Sequence, residues 1–237
     1  MMHIGKVGLK TFFATAVLLA ALTGHAAPGD IALTYELSYK GFSVGETRES
    51  FKRNGNGYKL ESVSQARGIW SAFFPEKISF FSSGTVADNG LRPTRFEQRR
   101  SKHSDKNRTA LFDWNAKSIE MQFDGKSDKA ELQPGSQDAL SIIYHFMFAP
   151  LKEGASTVFM TNGKKLEAYE FRKVEETRLD TPAGSFNTIH VARVSQPGET
   201  RTDVWLAKDK NFLPVRVVVV EPEGDKTERV LSSLSIE

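Results

Sequence analysis

Residues 43–66 read SVGETRESFKRNGNGYKLESVSQA. Side chains alternate between polar and less polar on both sides of Asn54-Gly55-Asn56-Gly57. Asn and Gly tolerate the positive φ of a tight hairpin turn, so the stretch predicts two long paired strands, 43–53 and 57–66. Working outward, Ile31 to Tyr39 also alternates and stops at Lys40-Gly41. Ile78 to Ala87 stops at Asp88-Asn89-Gly90, and Thr94 to Lys102 pairs in pattern with Asn107 to Trp114. Ser118 to Phe123 ends at Asp124-Gly125. In the second half, turns at Asn162-Gly163, Asp180 to Gly184, Pro197-Gly198, Lys208 to Asn211 and Glu223 to Asp225 separate six further alternating runs. Period two with short connections predicts an all-β, mainly antiparallel fold of about 11–13 strands, as a strongly curved sheet, half-barrel or open barrel.

Two stretches break that period. In Ser136 to Phe148, apolar side chains fall at Leu140, Ile143, Tyr144 and Met147, which predicts one amphipathic helix over 136–148 packed on the concave face of the sheet. Ser136 suits its N-cap, and Asp138 suits the positive helix end better than it suits an acid site. In Arg67 to Pro75, Trp70, Phe73 and Phe74 are spaced i, i+3, i+4, so one helical turn would align three aromatic rings.

Residues 1–26 have the three parts of a cleavable signal peptide: Lys6 and Lys10, the apolar run Phe12 to Leu22, and small Gly24 and Ala26 flanking His25. Residues 27–237 then form a single β-rich domain, with no segment long and apolar enough to span a bilayer. Cleavage makes the expectation an exported protein. It also removes two of the 32 basic residues and none of the 29 acidic ones, so the net charge falls from +3 to +1. Near-neutral, mixed charge argues against nucleic acid as a partner. The one basic cluster, Arg95 to Arg108, reads as a solvated hairpin tip. The chain has no cysteine, which excludes thiol catalysis, Cys-ligated metal and a lipid-modified N-terminal cysteine.

Little in the sequence points to chemistry. His103, His145 and His190 are scattered over a loop, the predicted helix and a strand, and none has metal-ligand spacing. No nucleophile elbow or phosphate loop occurs. The expectation is a protein that is not an enzyme, with no catalytic residue, metal or cofactor. The 17 phenylalanines are the better lead. Trp70, Phe73, Phe74, Tyr144 and Met147 are the candidate ligand-binding residues, on the view that the turn at 69–75 is the flap of an apolar pocket. The partner would be a lipid-like ligand or, alternatively, an envelope protein, and an enzyme acting on envelope glycan or lipid is the weakest reading.

Several motifs recur in one order: Tyr35 to Gly45 (YELSYKGFSVG), Ser82-Ser83-Gly84 followed by Gly90-Leu91-Arg92-Pro93, Gln137 to Ser141, Leu179 to Phe186, and Val204 to Ala207 leading to Leu213-Pro214-Val215-Arg216. Together they resemble an exported bacterial family of unknown function, domain-of-unknown-function family 3108. The resemblance implies a periplasmic protein of a Gram-negative bacterium and brings no activity and no catalytic residues. The 181–186 hairpin and the 204–216 pair are also similar to parts of half-barrel periplasmic carriers of lipoproteins, which is a likeness of fold. Arg216 is expected to pair with a carboxylate such as Glu221 or Asp203.

Overall fold

The computed structural model describes residues 29–149, 151 and 154–236; the signal-peptide reading of residues 1–26 lies outside them. The described residues build one 15-stranded sheet that runs as a meander. The first half comprises β1 (Ile31–Tyr39), β2 (Phe42–Asn54), β3 (Gly57–Ala66), β4 (Ile78–Ala87), β5 (Gly90–Arg100), β6 (Arg108–Asp113), β7 (Ser118–Phe123) and β8 (Lys126–Glu131). The second half comprises β9 (Gln137–Asp138), β10 (Ala155–Thr161), β11 (Leu166–Thr181), β12 (Gly184–Arg193), β13 (Arg201–Ala207), β14 (Leu213–Val220) and β15 (Lys226–Ile236). The halves join where β1 pairs antiparallel with β15, Ile31 opposite Ile236. The sheet ends at β8 on one side and β9 on the other, and these two do not pair. Instead β9 tucks against β5, so the sheet curls without closing. β8 (KSDKAE) is an exposed, charge-rich edge, which discourages pairing with another chain.

The Asn-Gly hairpin forms as its sequence predicts, β2 against β3 with Asn54 opposite Gly57. Alternation sets the inner face: Ile31, Leu33 and Tyr35 on β1, Tyr58 and Leu60 on β3, and Ile119 and Met121 on β7 are all buried. At Gly84 the register of β4 against β5 shifts by a bulge, and a Cβ there would stand 2.2 Å from the Arg92 carbonyl oxygen.

The helix departs from the expected 136–148. Gln137 and Asp138 are extended and pair in parallel with Met160 and Thr161 of β10, so helical geometry cannot begin before them. The helix α2 runs only over Ser141–His145. Beyond it the chain tightens into i→i−3 bonds, Met147 N–H to Tyr144 and Phe148 N–H to His145. Its placement is as expected. Tyr144, Leu140 and Met147 pack with β1–β7 side chains, while Ile142 and Phe146 pack with Phe171, Val191, Val204 and Val217. An element touching both halves of a curled sheet lies on its concave side. Phe51 and Tyr144 stack there at 6.3 Å and Phe148 tilts onto Phe51 at 5.6 Å, filling the interior with aromatic rings. Among the described residues, no helix is long and apolar enough to cross a membrane.

Candidate functional site

The turn between β3 and β4 carries a single helical turn, α1 (Trp70–Phe73), closed by Ala72 N–H to Ile69 and Phe74 N–H to Trp70 at 2.8 Å. It lays its rings against the neighbouring β1–β2 turn. Trp70 meets Phe42 at 5.9 Å, Phe74 meets Tyr39 edge-on at 6.0 Å, and Trp70 also meets Phe73 and Phe74. The cluster stays open to solvent: Ile69 is 77 % exposed, Phe73 72 %, Phe42 62 % and Phe74 43 %. Four of the seven large hydrophobic side chains exposed among the described residues thus meet at one rim of the sheet. Ion pairs hold the rim in place. Arg67 reaches Glu46 at 2.5 Å, with Arg48 on the same carboxylate at 3.1 Å. Asp225 accepts from Tyr39 at 2.6 Å and pairs with Lys40 at 2.7 Å. Glu76 takes both Arg100 and His103.

Further along the strands from the rim, two clusters of buried polar groups link the elements. Glu49 of β2 accepts from Ser62 Oγ of β3 at 2.8 Å, from the Tyr144 hydroxyl of α2 and from the Arg229 guanidinium of β15. Burial, then the Glu49 charge, pushes the Tyr144 hydroxyl up, so it stays a donor. Tyr35, held up by burial first, donates to the Pro214 carbonyl at 2.8 Å. In the second cluster, Asp138 Oδ1 accepts from the N–H groups of Leu140 and Ser141 at 2.9 and 2.7 Å, and Oδ2 accepts from Ser82 Oγ at 2.6 Å. Ser141 Oγ in return accepts from the Asp138 N–H, a capping box that starts α2. Asp138 therefore caps the helix as its position suggests, from three residues before Ser141.

Burial pushes the Asp138 carboxyl up from 3.8 to about 6, against the bonds from Ser82, Ser141 and Leu140. A folded-state value above the unfolded one gives stability that is present below about pH 4 and lost as pH rises through about 6. His145 has the opposite sign. Burial lowers it to about 4, so its contribution is present above pH 6.5 and lost as pH falls through about 4. Its Nδ1 accepts from the Leu91 N–H at 3.2 Å. Asp138→Asn separates the two effects. The amide oxygen still accepts from Leu140 and Ser141, and its NH2 donates to Ser82 Oγ, which shares a 3.0 Å bond with the Tyr58 hydroxyl. Urea midpoints across pH are expected to show both D138N and D138A free of the Asp138-dependent loss between about pH 4 and 6, with D138A weaker than D138N by about 2–3 kcal/mol at every pH. An unchanged pH slope in D138N would assign the titration to other groups.

The outer face has its own ordered column. His190, Trp205 and Arg216 stand opposite one another on β12, β13 and β14. The imidazole stacks on the indole at 4.3 Å with 4° between the planes, and the guanidinium lies 4.4 Å from its centre. Arg216 pairs with Glu228 at 2.6 Å, not with Glu221 or Asp203 as the sequence suggested. Glu228 is the nearer acid because β14 pairs with β15, whereas Asp203 is taken by His190 at 2.8 Å and by Arg201. Within the basic stretch 95–108, Arg95 and Arg99 share Glu97 and Arg100 pairs with Glu76, while Lys102 is exposed.

The five sequence-level candidates fall in two places. Trp70, Phe73 and Phe74 share the exposed rim. Tyr144 and Met147 are buried in the interior, Tyr144 on Glu49. Glu49 lies seven residues along β2 from Phe42, about 20 Å of strand, so the five do not line one pocket. Phe42, Ile69 and Tyr39 complete the rim and escape sequence reasoning. Phe42 looks like an ordinary strand residue, and its contact with Trp70 crosses from one turn to another. The signal that could have found it is its place beside Gly41, in a turn next to the β3–β4 turn.

An open, barrel-like antiparallel sheet with a packed interior defines the class of protein. The chain belongs to the family of proteins of unknown function DUF3108, whose model matches residues 34–229. Among solved structures, it is similar to the β-barrel-like protein of domain of unknown function DUF1849 from Brucella abortus, with a TM-score of 0.55, 10 % identity, and coverage of 88 % of this chain and 98 % of that one. A candidate lipoprotein from Parabacteroides distasonis (TM-score 0.38, 11 % identity, 88 % and 96 % covered) is a more distant likeness. So is a candidate exported protein with a YmcC-like fold from Bacteroides fragilis (TM-score 0.36, 12 % identity, 88 % and 96 % covered). No curated protein matches the chain in sequence.

Proposed function

We propose that the protein is a non-enzymatic binding module of the bacterial cell envelope. In this reading it is exported to the periplasm and takes an apolar or amphipathic, lipid-like ligand on its aromatic rim. The observation that carries the reading is the gathering of Phe42, Ile69, Phe73 and Phe74, all exposed, on one ion-paired turn cluster. Covering a side chain of this kind stabilises by about 1.5–3 kcal/mol, and contiguous exposed apolar patches mark binding surfaces. The filled interior favours the rim over the concave face as the place of contact. Glu49, Asp138, His145 and His190 are each engaged in bonds between elements, which supports a binding role over a catalytic one. The signal-like residues 1–26 support export. A protein partner in the envelope is the second reading, favoured by the same filled interior, which gives an acyl chain no deep slot.

Native mass spectrometry of the protein isolated from bacterial envelopes without detergent, followed by organic extraction, tests the proposal. The expected result is a bound species of lipid mass, lost in the F42S/F73S variant. A protein that carries no lipid, with one envelope protein captured by a photo-crosslinker at position 73, would establish the second reading instead.

A further inference from the structure

We infer that the aromatic rim docks on the surface of an anionic lipid bilayer, with Ile69 and Phe73 as the inserting tip; this deepens the lipid-binding reading and rests on it. Ile69 and Phe73 are the most exposed large hydrophobic side chains among the described residues, and they flank Trp70 on one turn. Trp70 and Phe74 form shoulders behind them, braced by Phe42 and Tyr39. A Trp set behind a protruding aliphatic and aromatic tip matches the headgroup–acyl boundary, where indole rings concentrate.

Charge supplies the second argument. Three acids of the rim are ion-paired, Glu46 by Arg48 and Arg67, Asp225 by Lys40 and Glu76 by Arg100. Exposed Glu36, opposite Glu46, and Glu223, in the turn with Asp225, are not paired among the described residues. Two arginines on one carboxylate leave a positive charge over. Exposed Lys77 and Lys102 add to it, brought side by side because Lys77 N–H bonds Ser101 Oγ and Ser101 N–H bonds the Lys77 carbonyl. On its β3–β4 side the apolar tip is thus bordered by Lys77 and Lys102, which have no ion-pair partner among the described residues, although the chain as a whole is near neutral. That border is complementary to phosphate headgroups, and each Lys or Arg near an anionic surface strengthens docking. A protein partner of the same patch would need acidic residues around an apolar socket and would show no preference among vesicles.

Flotation of the purified protein with phosphatidylethanolamine vesicles containing phosphatidylglycerol, against phosphatidylcholine vesicles, tests this. The protein is expected to float with the anionic vesicles and much less with the neutral ones. I69S/F73S is expected to weaken partitioning roughly tenfold or more. K77Q/K102Q is expected to weaken it severalfold and to reduce its salt sensitivity. All four side chains are exposed, so thermal unfolding should be unchanged and a loss of binding is not a loss of fold. Failure to float with either vesicle, or flotation indifferent to I69S/F73S, overturns the docking proposal. Binding of monomeric lysophosphatidylglycerol separates the two levels: if it binds while vesicles do not, docking fails and the ligand reading stands, and if neither binds, both fall.

Discussion

Arg229→Met is expected to destabilise the protein by about 3–5 kcal/mol, the usual result of removing one partner of a buried ion pair. Glu49 is almost wholly buried, and Arg229 is its only cation in the described structure. Without the guanidinium, the carboxylate keeps only hydroxyl donors, Ser62 and Tyr144, in a site that water reaches poorly. The pair is separated by 180 residues and ties β2 to β15 across the joint between the two halves, with Tyr144 bringing α2 to the same point. For a domain of this size the loss would lower Tm by roughly 10 °C. Glu49→Gln should cost less, since the neutral amide needs no counter-charge and the Arg229 left without its partner is 18 % exposed and can reach water. The single amide oxygen keeps only one of the two hydroxyls, Tyr144 on Oε2 or Ser62 on Oε1. Chemical denaturation of the two variants measures the difference. A cost for R229M within about 1 kcal/mol would mean that the pair behaves as a solvated surface bridge.

Gly84→Ala is expected to cost about 3 kcal/mol or more through backbone displacement. The new Cβ would stand 2.2 Å from the Arg92 oxygen and 2.8 Å from the Pro93 Cα, and neither is the free end of a flexible side chain. β5 would have to move away, and the bulge that sets the register of β4 would slip. Ser82, two residues before the glycine, would lose its place on Asp138, so the cap of α2 would weaken with it. Ser83→Ala is the matched control. It adds no atom, its carbonyl still accepts from Thr94 Oγ1, and it should stay within about 0.5 kcal/mol of the parent. Equal unfolding midpoints for the two variants would remove the steric account of this glycine.

The fold was legible because its information is local. Asn54 to Gly57 names its own turn, and alternation on either side assigns each side chain a face. The same holds along the second half, where β11, β12, β13, β14 and β15 follow their turn residues closely. The helix was overextended because Gln137 and Asp138 carry no local mark of a strand. Their extended form comes from β10, and the Gln137 side chain is held by the Leu91 carbonyl at 2.7 Å, 46 residues away. The candidate site divides the same way. Trp70, Phe73 and Phe74 share one turn and could be read from spacing, whereas Phe42 reaches them only through the fold. Tyr144 and Met147 have the helical spacing of a pocket lining, but equally that of a core face. The curl of the sheet puts them in the core. Arg216 found Glu228 because strand order, not sequence distance, decides which carboxylate is near.

Hydrogen–deuterium exchange of the protein with and without lysophosphatidylglycerol tests most directly that the rim, and not the interior, meets the ligand. The prediction is slowed exchange over residues 67–76 and 39–43, with α2 and the strands around Glu49 unchanged. Slowed exchange confined to 137–148 and the inner strands would place the ligand on the concave face and contradict the account.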